Sequence, residues 1–205
     1  MSASDLEVSL PAADERRDET TSSAQALCLV CGLCCDGTLF HRGYLKPDDP
    51  LAPLTAAGMD IAIDHSQQVF TQPCAAHDQG RCTVYANRPG VCRHYRCELL
   101  KRFIAKDVQY TVAMGLVERT KSIRDEVREL AAETSADGTS SADIWALLHQ
   151  WLERPEMTSI HPSHHRLFFK FSVLRKLLDR FFLNTAWREA PGRRNAGTPL
   201  SRSSG

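Results

Sequence analysis

Four of the eight cysteines in this 205-residue chain form one run, Cys28-x2-Cys31-x2-Cys34-Cys35. The other four follow at wider spacing, at Cys74, Cys82, Cys92 and Cys97. Thiolates are strong donors for soft and borderline metal ions, and thiolates three residues apart on a tight turn converge on one point. Two such spacings closed by a vicinal pair predict a metal centre with all eight cysteines as ligands. Two other accounts compete. Inert buried cysteines are common singly, but clustering of this kind argues against eight of them. A disulfide framework needs an oxidising compartment, and residues 1–25 have no apolar stretch or small-residue cleavage site and are acidic where an export signal is basic. A core of about 150 structured residues also holds without covalent staples. The expectation is a cytoplasmic protein with reduced thiols.

The metal is open between zinc and an iron–sulfur cluster. Structural zinc sites usually use two separated Cys-x2-Cys knuckles, whereas here the second group contains none. The triple spacing is that of the start of a ferredoxin run, without the Cys-Pro that closes it. Adjacent side chains such as Cys34 and Cys35 point in different directions, so both reaching one ion is strained. A polynuclear cluster, or two neighbouring sites sharing the loop, relieves this. Eight thiolates satisfy two tetrahedral zinc ions or two cubane clusters alike.

Two kinds of chain must position these residues. From Cys28 to about Tyr85, glycine and proline break the sequence into short pieces. Leu39-Phe40 and Tyr44-Leu45 around Gly43 read as a small strand, and Gln68–Thr71 as another. Asp48 or Asp49 would cap a short helix ending at Gly58. Asp78-Gln79-Gly80 reads as a turn whose hairpin brings Cys74 towards Cys82. After Pro89 the pattern is helical. On one regular helix Cys92 and Cys97 would lie about 140° apart around the axis, so an irregular start near Pro89-Gly90 is needed for both to face one metal. Residues 111–133 read as a long amphipathic helix with Val112, Leu116, Ile123, Val127 and Leu130 on its face. Ser140 and Asp143 have capping-box spacing for a further helix, and a last one carries Leu167, Phe171, Leu174, Leu178 and Phe181.

The formal net charge is zero, which gives no support to strong phosphate binding. The basic face of residues 166–180 reads as a solvated helix surface, so nucleic acid is not expected as a partner. No apolar run approaches the length of a membrane span, and a protein partner is left open. No nucleophile triad, phosphate-cradling glycine loop or carboxylate pair is recognisable.

The run Cys28-Leu-Val-Cys31-Gly-Leu-Cys34-Cys35, then Gln72-Pro73-Cys74, then Gly80-Arg81-Cys82-Thr-Val-Tyr85-Ala-Asn-Arg88-Pro89-Gly-Val-Cys92-Arg93-His-Tyr95-Arg-Cys97, resembles the YkgJ-type CxxCxxCC cysteine-cluster family. The similarity covers roughly residues 28–100. It implies a zinc- or iron-chelating protein, most members having no assigned reaction. A similar cysteine cluster appears in flagellin lysine N-methylase, linked to an iron–sulfur centre and methyl transfer; this chain is much shorter and has no recognisable methyl-donor site.

The expected fold is α+β, an irregular cysteine-rich half with short strands braced by a C-terminal bundle of about four helices. Its divisions are an acidic disordered tail over 1–24, a metal-binding domain over 25–105, a helical region over 106–184 and a basic disordered tail over 185–205. The expected function is chelation of zinc or an iron–sulfur cluster through Cys28, Cys31, Cys34, Cys35, Cys74, Cys82, Cys92 and Cys97. The alternative is an iron–sulfur enzyme or electron-transfer protein doing redox or methyl-transfer chemistry. Arg88 and Arg93 are expected to offset thiolate charge around the ligands, and Tyr85 to keep water off the metal loop.

Overall fold

The computed structural model describes residues 13–134 and 162–183. The first helix, α1 (Ala13–Cys31), ends where Gly32 takes φ +64°. A left-handed residue just past the last turn stops a helix, and glycine adopts it without a Cβ penalty. α1 therefore starts within the stretch expected to be a disordered tail. It carries Cys28 and Cys31 on its last turn, where a loop was expected.

A three-stranded antiparallel sheet follows, with spatial order β1-β3-β2. Its strands are β1 (Arg42–Tyr44), β2 (Ile61–Asp64) and β3 (Gln67–Thr71), and α2 (Leu51–Ala56) lies between β1 and β2 in the chain. β2 was not foreseen; His65 and Ser66, both at positive φ, make the two-residue turn that joins it to β3. Tight two-residue hairpins favour such residues because their twist matches that of the strands. The expected capping of α2 by an aspartate is also corrected. Pro50 occupies the N-cap position with no side-chain cap, and Asp49 is used elsewhere.

The expected turn at Asp78-Gln79-Gly80 joins β4 (His77–Asp78) to β5 (Arg81–Cys82). A 3-10 turn at Tyr85–Asn87 then leads into α3 (Gly90–His94), α4 (Glu98–Ile104) and α5 (Tyr110–Thr134). The last described helix, α6 (Pro162–Leu177), continues into a π turn at Leu178–Phe182. The helix expected around Ile144–Leu152 lies outside the described residues.

Two apolar cores result. The larger is helical and unites Leu27 of α1 and Leu33 with Leu99 and Leu100 of α4, Val117 and Val127 of α5, and Leu174 of α6. On α5 the buried face is Ala113, Val117, Ile123, Val127 and Leu130, while Val112 is exposed. In the π turn, Phe182 is fully buried and Phe181 only partly so. The expected stripe included Phe181; the wider i→i+5 turn advances the face by one residue. The smaller core sits beside the sheet and holds Leu45, Leu54, Met59, Phe70 and Ala76. No described helix is long and apolar enough to cross a membrane.

Gly43 pairs with Phe70 across β1 and β3, and a Cβ on Gly43 would lie 2.3 Å from Phe70 Cζ. Phe70 is 1% exposed and has little room to yield. Gly43→Ala is expected to destabilise by about 1–3 kcal/mol through overpacking, read as a lower urea midpoint at unchanged slope.

Candidate metal centre

The first cysteine cluster is a helix end followed by a tight reversal. Gly32 O accepts hydrogen bonds from Cys35 N at 2.8 Å and Asp36 N at 3.1 Å, and Leu39 N donates to Leu33 O at 3.0 Å. Leu33, fully buried in the helical core, anchors this reversal. Asp36 then ties it to α5. Its carboxylate pairs with Arg124 and accepts from Thr38 N at 2.9 Å, while its carbonyl accepts from Arg128 Nη2 at 2.8 Å. Neither arginine was marked by the sequence analysis, because nothing local announces a contact across about ninety residues.

The second cluster arrives from three separate segments. Cys74 N donates to Cys35 O at 2.8 Å, which fixes the Gln72-Pro73-Cys74 segment against the first cluster. The β4–β5 hairpin pairs His77 with Cys82 and so returns Cys82 to the Cys74 side, as expected from the turn. Cys92 lies within α3 and Cys97 is the N-cap of α4, its Sγ accepting from Leu100 N at 3.3 Å. Tyr95 and Cys97 are extended between these two short helices. The single-helix restriction on Cys92 and Cys97 therefore does not apply.

α3 is held by Asp49, whose side chain is fully buried. Asp49 Oδ1 accepts from Gly90 N at 2.6 Å, Oδ2 accepts from Lys46 N at 2.8 Å, and Arg93 lies 3.8 Å away. Tyr95 Oη donates to Phe182 O at 2.8 Å, and its ring packs edge-on against Phe40 at 5.0 Å. These contacts join the cysteine-bearing segments to both cores.

All eight cysteines are free thiols; Cys28 is exposed and the rest are half-buried. They border two cavities. One, of about 50 Å³, is lined by Cys28, Cys31, Cys34, Cys35 and Cys97; the other, of about 110 Å³, by Cys28, Cys34, Cys35, Cys74, Cys82 and Cys92. As they stand, no three His, Cys, Asp or Glu side chains among the described residues are gathered tightly enough to hold an ion.

The donor chemistry fits a metal nonetheless. Burial is the main cause that raises the thiol pKa, to about 12 at Cys31 and Cys92 and about 11 at Cys97, and it raises Cys28, Cys34, Cys35 and Cys74 as well. Neighbouring thiolates push most of these further in the same direction. Two like charges about 4 Å apart repel by about 4 kcal/mol at an effective dielectric of about 20. The set is thus stable as neutral thiols, and stable as thiolates only with cations among them.

Arg88 follows the 3-10 turn at Tyr85–Asn87. Its guanidinium lies 3.6 Å over the Tyr85 ring, its Nε donates to Tyr85 O at 3.1 Å, and its charge favours the thiolates of Cys28 and Cys92. Tyr85 lines the larger cavity. Arg93 faces Asp49. Arg96, which the sequence analysis passed over, is the second cation near Cys28. Of the histidines, His65 is exposed at the β2–β3 turn, and His94 bonds Gly90 O through Nδ1 at 2.7 Å. His77 lines the larger cavity and packs on Gly32, its Nε2 buried without a hydrogen-bond partner.

Comparison with known proteins bears out the resemblance drawn from the cysteine spacing. Residues 27–113 match the CxxCxxCC family model, described as "Putative zinc- or iron-chelating domain". The match runs beyond the expected end near Leu100, through α4 and into the first turn of α5. No curated protein and no solved structure shows significant similarity to the chain.

Asp49→Ala would leave the N–H groups of Gly90 and Lys46 without their partner and free α3. Each orphaned donor costs about 1–3 kcal/mol, so a loss of about 2–4 kcal/mol is expected by denaturant unfolding, with faster alkylation of Cys92 than of Cys31.

Proposed function

We propose that the protein is a metal-binding protein in which Cys28, Cys31, Cys34, Cys35, Cys74, Cys82, Cys92 and Cys97 together hold zinc or iron–sulfur centres. The observation that carries this reading is that eight free thiols, from segments far apart in sequence, line two adjoining cavities. A reduced, cytoplasmic setting suits such thiols, since an oxidising one would pair them. Bound metal would cross-link the sheet-bearing half to the helices, and its binding free energy there would be folding free energy. Arg88 and Arg96 would offset thiolate charge near Cys28, and Tyr85 and Tyr95 would limit water at the cavity walls.

An iron–sulfur enzyme or electron-transfer protein is the second reading. Cys28 favours it: the residue is exposed at the end of α1, so a centre using it would come close to the surface, where an electron could be exchanged with a partner.

Metal analysis with a visible spectrum, on protein purified without oxygen, tests both readings. Zinc in a colourless sample is the outcome for a structural site; iron with acid-labile sulfide and a brown colour is the outcome for an iron–sulfur protein. Chelation should then remove amide-exchange protection from β1–β3 while α5 and α6 stay protected, because their contact rests on buried apolar side chains and the Lys170–Glu126 pair and not on the cysteines. A folded, metal-free protein whose eight thiols all react freely would sink the proposal.

A further inference from the structure

The eight thiols do not face one common space, and the way they divide is set by the backbone. Cys31 and Cys97 line only the smaller cavity, while Cys74, Cys82 and Cys92 line only the larger one. The apolar surroundings divide the same way. Cys31, Cys34 and Cys97 pack on the helical core of α1, α4 and α5, whereas Cys74 and Cys92 pack on the core beside the sheet. Cys28, Cys34 and Cys35 border both cavities and have to be assigned.

Three observations assign them. Cys34 goes with the helical core it packs against. Adjacent side chains in a chain point in different directions, which sends Cys35 away from Cys34, and the 2.8 Å bond from Cys74 N to Cys35 O sets Cys35 beside Cys74. Cys28 precedes Cys31 by three residues on α1, so the two share one helix face.

We propose that the chain holds two separate four-thiolate centres, one formed by Cys28, Cys31, Cys34 and Cys97 and the other by Cys35, Cys74, Cys82 and Cys92, with the Cys34–Cys35 peptide as the junction between them. The inference rests on the metal-binding reading above and adds the number of centres and the membership of each. Four thiolates per centre complete a tetrahedral shell for zinc, or the four corners of a cubane cluster, with no cysteine left over. Arg88 borders the larger cavity together with Cys28 of one set and Cys92 of the other, so it stands where it can offset charge from both.

The test begins with unmutated protein as purified without oxygen. The metal is removed in steps with a chelator, the freed thiols are alkylated, and intact chains are sequenced in the mass spectrometer. Labels are expected in blocks of four, each block confined to one of the two sets. Blocks that mix the sets, or all eight sites labelling together at every degree of stripping, would overturn the division while leaving metal binding intact. A purified protein with no metal would overturn the reading beneath it. Cys97→Ser and Cys92→Ser give the second measurement. Each should retain half of the wild-type metal, with alkylation at Cys28, Cys31 and Cys34 in the first variant and at Cys35, Cys74 and Cys82 in the second. Loss of all metal from both variants, with helix content unchanged, would point to a single shared centre and overturn the proposal.

Discussion

Thiols bury easily while neutral and at high cost once charged, and the arrangement of this fold follows from that difference. A neutral cysteine behaves as a small apolar residue, so the packing of Cys31, Cys34 and Cys97 on the helical core needs no special compensation. Several thiolates crowded into the same space repel one another and lose hydration together. Burial therefore holds protons on these sulfurs until a cation replaces them. The backbone supplies only modest counter-weight, such as the Leu100 N–H donated to Cys97 and the Leu33 N–H near Cys31. Arg88 and Arg96 add to it near Cys28, and Arg88 near Cys92, without overcoming the effect of burial.

That constraint explains why so much of the fold is devoted to holding short segments in place. The cysteine-bearing pieces are too short to be stable helices or sheets alone; α3 spans five residues and β4 and β5 two each. Polar contacts from elsewhere tie the neighbouring segments down: Asp49 on the α3 N-terminus, Asp36 between the first cluster and α5, Tyr95 on the carbonyl of Phe182. Asp36 and Asp49 are short, buried or nearly buried, and satisfied by several donors, which is what makes a buried carboxylate tolerable. α5 and α6 form the stiff support onto which this assembly is fastened.

The cysteine pattern and the long helix were readable because each is local. Cys28-x2-Cys31 is a spacing, and residues 111–133 repeat with helical period, so both stand in the sequence without reference to anything distant. The turn at Asp78-Gln79-Gly80 was equally plain, since glycine and its neighbour supply the positive φ it needs. The features that escaped notice are those decided by tertiary contact. Ile61–Asp64 is a strand because Gln67–Thr71 lies beside it, and Asp49 leaves the helix it was expected to cap because Gly90 N is a buried donor in need of a partner. Val112 belongs to the right helix but lies off the buried face, a matter of rotation that periodicity alone does not fix.

Cys34 and Cys35 show how a local oddity in sequence becomes a long-range arrangement. A vicinal pair gains little for a single mononuclear site, because its two side chains diverge. The same divergence is useful where two apolar cores meet. Cys34 enters the helical core, while the carbonyl of Cys35 is bonded by Cys74 N on the sheet side. Asp36, next in the chain, is clamped to α5 by Arg124 and Arg128, so the junction cannot rotate to bring both thiols to one side without breaking those bonds. The helix stop at Gly32 completes the constraint: a Cβ there would meet the His77 ring at 3.0 Å, and its positive φ turns the chain out of α1 just before the pair. A side chain at position 32 would therefore disturb the end of α1 and the β4–β5 hairpin at once, although neither Gly32 nor His77 offers a thiol.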